Sequence, residues 1–198
     1  MPMRAVDDSR SGRPAVFLDR DGVLIESTTI DGVPQSEHNL DSVHLIDGVA
    51  EACDRLHRAG VLLIVVTNQP DIARGKVTHA AVDNVHRWLG CQLALDAILT
   101  CPHDDHDRCQ CRKPRPGLIL DGLARFQADP DRSAMVGDRW RDIAAGRAAQ
   151  VATVFVDRHL PEPQPTEPGL TVGALVDAVP FLLARALADD RAVPRTRP

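Results

Sequence analysis

The sequence predicts an α/β fold, a mostly parallel sheet between two layers of helices. Short apolar runs alternate with helix-patterned stretches five times over, an order that puts helices on both faces of a parallel sheet. At 198 residues and 43% apolar content the chain suits one domain with a full core. Three of the runs close in polar residues, Asp19, Thr67-Asn68 and Asp138. In open parallel sheets ligands bind at those carboxyl ends, so residues far apart in sequence converge on one rim.

Residues 1–13 are polar and read as a disordered lead-in to a single domain over 14–187. AVFLD (15–19) is a short buried strand ending in an acid. Residues 27–46 lack periodicity and read as a long loop. GVAEACDRLHRAG (48–60) has helical spacing and stops at Gly60. VLLIVVTN (61–68) is continuous and β-branched, the strongest strand of the chain. THAAVDNVHRWLGCQL (78–93) is a helix with Thr78 as its N-cap. DAILTC (96–101) is a strand, and PGLILDGLARFQA (116–128) a helix opened by a proline. SAMVGD (133–138), RDIAAGRAAQ (141–150) and ATVFVD (152–157) read as strand, helix and strand. RHLPEPQPTEPG (158–169) is a Pro-rich surface loop. Residues 170–187 read as a final helical segment, interrupted or bent near Pro180. The tail, 188–198, reads as disordered. The pattern as a whole is a Rossmann-like three-layer sandwich.

Composition narrows the function classes. Aromatic residues make up 3% with no Tyr, so Val, Leu, Ile and Ala build the core. A net charge of −5 argues against nonspecific nucleic-acid binding, which needs clustered positive charge. No apolar run approaches the roughly 20 residues of a membrane span. The polar N-terminus lacks the apolar segment of a secretory signal. The expected location is therefore the cytoplasm, for a monomer acting on a small metabolite. In a reducing compartment clustered cysteines point to metal binding or catalysis rather than disulfides. Cys53 and Cys91, in helix-like stretches, are expected to be buried small hydrophobes.

FLDRDGVL (17–24) carries two carboxylates two residues apart beyond a strand, and MVGDRWRD (135–142) repeats the theme with Asp138 and Asp142. Read singly, the first is an Asp-Gly turn and the second a helix cap. Converging on one rim, they concentrate negative charge that Mg2+, with its preference for oxygen ligands, would neutralise. A carboxylate can attack phosphorus, a metal ion screens the repulsion, and a lysine and a hydroxyl hold the charged oxygens. Asp19, Asp138, Lys113 and Thr67 supply those parts.

DRDG, VVTN, the Lys of CRKP and GDRWRD stand in the order and spacing of the four motifs of the haloacid-dehalogenase-like phosphatases, and the chain resembles that family over residues 15–157. The resemblance implies that Asp19 is the nucleophile and becomes an aspartyl-phosphate. Asp21 is then the general acid/base, and its backbone carbonyl joins Asp19 and Asp138 around Mg2+. Thr67 and Asn68 contact the phosphoryl group, and Lys113 neutralises it. Asp142 orients Lys113 or caps its helix rather than binding metal. The gaps between motifs, 25–60 and 69–112, are filled by loops and core elements, so no separate cap domain fits. Substrate choice then falls to loops 26–40, 69–77 and 101–115.

CPHDDHDRCQC (101–111) holds Cys101, His103, Cys109 and Cys111, with five residues between its halves. Three thiolates and an imidazole suit tetrahedral Zn2+, although the spacing is not that of a zinc finger. His106 and the acids between the halves are alternative ligands. C-x-C lacks the C-x-x-C spacing of a redox pair, and a closed four-ligand site is structural. CPH, CxCRKP and TNQ together resemble the capless, zinc-bearing branch that contains D-glycero-D-manno-heptose 1,7-bisphosphate and histidinol-phosphate phosphatases. IARG (72–75) resembles the heptose enzymes; the short spacer before Cys109 resembles the histidinol-phosphate enzymes. Arg74 and Arg112 could bind a second anionic group, which favours a bisphosphate. The expectation is a Mg2+-dependent phosphomonoesterase for the heptose bisphosphate, with histidinol phosphate as the alternative. A catalytically silent zinc-containing binding module is the remote alternative.

Overall fold

The computed structural model describes residues 12–30 and 33–188, and for 28–35 the backbone alone. The expected lead-in and tail therefore lie almost wholly outside the described residues. At the start of the domain, the Arg13 guanidinium donates to the Gly60 carbonyl.

Five predicted strands form: β1 (Ala15–Leu18), β4 (Leu62–Asn68), β5 (Ala97–Cys101), β6 (Ala134–Gly137) and β7 (Ala152–Val156). Three more strands do not match the reading of the sequence. The expected loop at 27–46 contains an antiparallel pair, β2 (Thr28–Ile30) and β3 (Val33–Gln35). The expected final helical segment begins as strand β8 (Leu170–Val172). Gly173 then separates β8 from a shorter helix. Three-residue strands carry too few side chains for alternation to show, which is why both were read otherwise.

The main sheet has six strands in the order β5-β4-β1-β6-β7-β8, every neighbouring pair parallel. From β1 the chain first moves outward through β4 to β5, then crosses to β6 and continues to β8 on the other side. Adjacent β1 and β6 thus send their connections in opposite directions, which opens a crevice at their carboxyl ends.

Successive side chains of a strand face opposite ways, and here each way leads to a core. Val16 and Leu18 of β1 join one core and Ala15 and Phe17 the other. The first core is covered by α1 (Val49–Arg58), α2 (His79–Gln92) and α5 (Leu175–Ala186), the second by α3 (Gly117–Phe126) and α4 (Trp140–Ala148). This two-sided burial explains why VLLIVVTN reads as an unbroken apolar run. Each large side chain fully buried there contributes about 1.5–3 kcal/mol.

Local rules account for the helix ends. The Thr78 hydroxyl accepts from the Ala81 amide at 3.2 Å and opens α2. Helix α5 runs through Pro180 without interruption; the proline is exposed, where a missing amide bond is offset by water. Cys53 is buried in α1 as expected, but Cys91 lies on the exposed side of α2. Its neighbours Val85 and Leu89 take the buried stripe of that helix, and position 91 falls off it. No helix among the described residues is long and apolar enough to cross a membrane.

Candidate active site

The strand ends meet as their polar termini predict. Asp19 follows β1, Thr67 and Asn68 end β4, and Asp138 follows β6. Asp142 enters from the first turn of α4. Carboxylate oxygens of Asp19, Asp138 and Asp142 all lie within 4.8 Å of one another, and all three residues are buried. Lys113 Nζ stands 2.8 Å from Asp19 Oδ1 and 2.6 Å from Asp142 Oδ1. Three carboxylates thus face one ammonium in a desolvated pocket.

The charge balance shows in the acidities. Burial pushes the Asp19 carboxyl up to about 6, with Lys113 opposing the rise and Asp142 and Asp21 adding to it. Burial likewise holds Asp138 well above the usual carboxylate range, reinforced by Asp19 and Asp142. Burial alone would lower Lys113, yet Asp142 and Asp19 keep it above its ordinary value. Asp138 Oδ1 is buried and has no hydrogen-bond partner among the described residues. An orphaned carboxylate oxygen beside two further acids fits a hard divalent cation.

Two glycines let these elements approach. Gly22 has φ +83°, and a Cβ there would sit 2.2 Å from Asp138 Oδ2. A Cβ at Gly137 would sit 2.1 Å from the Asp142 Cβ. Asp142 combines the two alternatives expected of it: beside its ion pair with Lys113, its Oδ2 accepts from the Arg139 amide at 3.0 Å and closes the start of α4.

Other sequence candidates take more particular places. The Asn68 side chain faces the Lys113 backbone, donating to its carbonyl and accepting from its amide, both at 3.1 Å. It therefore fixes the lysine from behind. Thr67 Oγ1 is buried and accepts from Gln69 Nε2 at 2.9 Å, leaving its proton to donate. Arg74 is held by Asp104 and Asp71, and Arg112 by Asp105 at 2.7 Å. All three expected loops reach the cleft, through Ser36, Arg74 and Arg112 among others.

Reading the sequence missed several residues. Arg139 and Arg141 also line the cleft. Both stand inside GDRWRD, where the acids drew attention and the alternating arginines did not. Arg139 pairs with Glu162, whereas Arg141 Nε is buried without a partner among the described residues. Burial above all, then the Arg139 charge, hold Arg141 below the usual guanidinium range, with Asp142 opposing. Around Asp21, Arg20, Ser36 and Gln69 also escaped notice. Arg20 and Gln69 stand inside DRDG and TNQ, but nothing in those motifs ties their side chains to Asp21.

A second cluster sits on the loop after β5. His103 Nδ1 is 3.6 Å from Cys101 Sγ and 3.2 Å from Cys111 Sγ, and the sulfur pairs stand 3.2–3.6 Å apart. Ligands at about 2.0–2.3 Å from a tetrahedral centre are about 3.4–3.8 Å from each other, so the four atoms are nearly placed for one ion. Burial pushes the Cys101 thiol up, and a cation is what would turn it into a thiolate. Among the described residues His106 is not part of the cluster. It lies in a 3-10 turn over Asp105–Asp107.

A family model described as haloacid dehalogenase-like hydrolase matches residues 33–150. The chain belongs to the haloacid dehalogenase-like hydrolases. Within this family it is similar to the D-glycero-beta-D-manno-heptose-1,7-bisphosphate 7-phosphatase of Escherichia coli K12, at 40% identity over 157 residues, 73% of this chain and 79% of that one. The enzyme of the same name from Haemophilus ducreyi is 33% identical over 187 residues, 86% and 99% of the two chains. Among solved structures, the D,D-heptose 1,7-bisphosphate phosphatase of B. bronchiseptica, complexed with magnesium and phosphate, superposes with a TM-score of 0.74. It is 30% identical, with 86% of this chain and 98% of that one covered. This haloacid dehalogenase-like hydrolase is accordingly a phosphoric monoester hydrolase.

Proposed function

We propose that the chain removes the 7-phosphate from D-glycero-beta-D-manno-heptose 1,7-bisphosphate, in a Mg2+-dependent reaction through an aspartyl-phosphate on Asp19. The observation that carries the chemistry is Asp19 Oδ1 2.8 Å from Lys113 Nζ, at the foot of a cleft that four arginines also line. The names of the relatives supply the substrate class.

Asp19 Oδ2 is free of the lysine and attacks phosphorus, breaking the bond to the C7 oxygen. Asp21 gives its proton to that leaving alkoxide. It then takes a proton from the water that cleaves the aspartyl-phosphate, and inorganic phosphate leaves. Lys113 and the Thr67 hydroxyl hold the phosphoryl oxygens as charge shifts onto them. Asp19, Asp138 and the Asp21 backbone carbonyl would hold Mg2+, which screens the nucleophile from the anionic substrate when bound. Zn2+ on Cys101, His103, Cys109 and Cys111 would be structural. In this reading the enzyme is a cytoplasmic monomer whose partner is a small phosphorylated metabolite.

Arg141 supports a bisphosphate. Among the described residues it is a cleft guanidinium with a buried, unused donor, and a second phosphate would satisfy it. Histidinol phosphate brings an ammonium in place of the second phosphate and would leave the Arg141 donor unsatisfied, and the relatives above lend it no support. A phosphate-release panel tests the reading: heptose 1,7-bisphosphate, heptose 1-phosphate, heptose 7-phosphate and histidinol phosphate, each with and without Mg2+. The bisphosphate should lead the 7-monophosphate by about tenfold in kcat/KM, and Arg141→Ala should remove most of that lead through KM. Equal turnover across the panel, or a preference for histidinol phosphate, overturns the substrate. No phosphate release from any ester with Mg2+ present overturns the chemistry.

A further inference from the structure

The carboxylate of Asp21 is more tightly held than any other acid at the rim, and the way it is held is asymmetric. Its Oδ2 accepts from Arg20 Nε at 3.1 Å, Ser36 Oγ at 3.1 Å and Gln69 Nε2 at 3.0 Å. Among the described residues its Oδ1 accepts from an Arg20 terminal nitrogen alone, at 2.9 Å. A carboxylate oxygen offers about two lone pairs. Oδ2 is therefore saturated, while Oδ1 keeps one lone pair for a proton.

Arg20 dictates this orientation, because both arms of its fork grip Asp21. The arginine is fully buried and has no solvent to settle its plane. Its plane is set instead by two acceptors. One is the Glu37 carbonyl, 3.3 Å from the nitrogen that also serves Oδ1. The other is His86 Nε2, 3.2 Å from the remaining terminal nitrogen. His86 belongs to α2 and is 66 residues away in sequence. Burial, then the Arg20 charge, pull the His86 pKa down to about 4. The ring is neutral at pH 7, with Nδ1 protonated and Nε2 free to accept.

We infer that His86 is a positioning residue: by accepting from Arg20 it fixes the guanidinium that aims Asp21 Oδ1 at the leaving-group oxygen. The inference rests on the acid/base role proposed above for Asp21. Without His86, one buried guanidinium nitrogen loses its acceptor, and the fork can turn to find another. Misaim of a general acid has a particular signature. Expulsion of a sugar alkoxide needs the proton in the transition state, whereas p-nitrophenolate leaves without it.

The test compares kcat/KM for heptose bisphosphate and for p-nitrophenyl phosphate, since kcat/KM ends at phosphoryl transfer and omits the later hydrolysis common to both. Positioned proton transfer contributes roughly 10²–10⁴-fold, so His86→Leu should lose about tenfold on the sugar ester and less than about twofold on the aryl ester. His86→Gln, whose amide oxygen can accept from Arg20, should recover most of the loss. Asp21→Asn is the reference and should show the same split in larger form. Equal losses on both esters in folded His86→Leu, no loss at all, or failure of His86→Gln to recover overturn the inference. If Asp21→Asn shows no split while wild type turns over both esters, the acid/base reading fails and takes the inference with it. Should the leucine variant not fold, His86→Asn, polar but too short to reach Arg20, takes its place.

Discussion

Two polar clusters lie at the carboxyl edge of the same sheet, joined by the segment from Cys111 to Lys113, and they differ in how they are closed. The thiol-imidazole cluster is complete in itself: its four ligand atoms turn toward one another at 3.2–3.6 Å. The carboxylate cluster is incomplete. Three acids share one lysine, one oxygen of Asp138 has no partner among the described residues, and the group opens on a cleft that four arginines also line. A closed ligand set has nothing left to offer a substrate and serves rigidity. An unbalanced one keeps free valences, and those are what chemistry uses. In the proposed reading the closed cluster would steady the open one, because Lys113 follows Cys111 by two residues.

The largest expected effect breaks the open cluster at its reacting atom. Asp19→Asn keeps the shape and removes the nucleophile, so turnover should fall by at least about three orders of magnitude. The melting temperature should hold within a few degrees, because one of three crowded carboxylates has been neutralised. Phosphate release and thermal melting read both halves. Retained turnover would refute the nucleophile. Lys113→Met strikes the same cluster differently. It strands Asp19 and Asp142, both buried, without their cation. Removing one partner of a buried pair costs about 3–5 kcal/mol, so this variant should lose stability as well as activity. A variant as stable as wild type in urea titration would show that the pair does not hold the cluster.

The difference between the clusters also decides how much was legible in the sequence. Asp19, Thr67 and Asp138 could be placed together because each closes a plainly apolar run, and a parallel sheet aligns such ends. The thiol cluster was legible because all its ligands fall within eleven residues. The cage around Asp21 was not legible. Arg20, Ser36, Gln69 and His86 come from four separate segments, and polar residues in loops and on helix flanks carry no periodicity that ties them together. Short strands failed for a related reason. In β8 three residues of intermediate or full exposure look the same as the start of a helix.

Disturbing the closed cluster should produce an effect of the opposite kind. His103→Ala removes one of four ligands, and a structural metal contributes folding energy directly. Zinc content should drop and the melting temperature fall by several degrees, while kcat at 25 °C declines less than about tenfold, since no ligand touches substrate. Metal analysis alongside a melt measures this. A wild-type protein without zinc, or a His103→Ala variant with unchanged melting and much lower kcat, would erase the distinction drawn between the two clusters.

The smallest expected effect sharpens the boundary of that cluster. His106 stands within the same loop, three residues from His103, and on composition alone either imidazole could complete a Cys3His set. The structure separates them by backbone geometry. Asp104 opens a tight 3-10 turn, its side chain accepting from the Asp105 amide at 2.7 Å while the Asp107 side chain accepts from the Asp104 amide at 2.7 Å. That turn carries His106 to an exposed position outside the ligand set, and Asp104 is anchored in addition by Arg74. His106→Ala should therefore leave zinc content unchanged and stability within about 0.5 kcal/mol, as for surface substitutions in general. Loss of one equivalent of zinc in His106→Ala, with zinc retained in His103→Ala, would exchange the two histidines and require the loop to close around the other one.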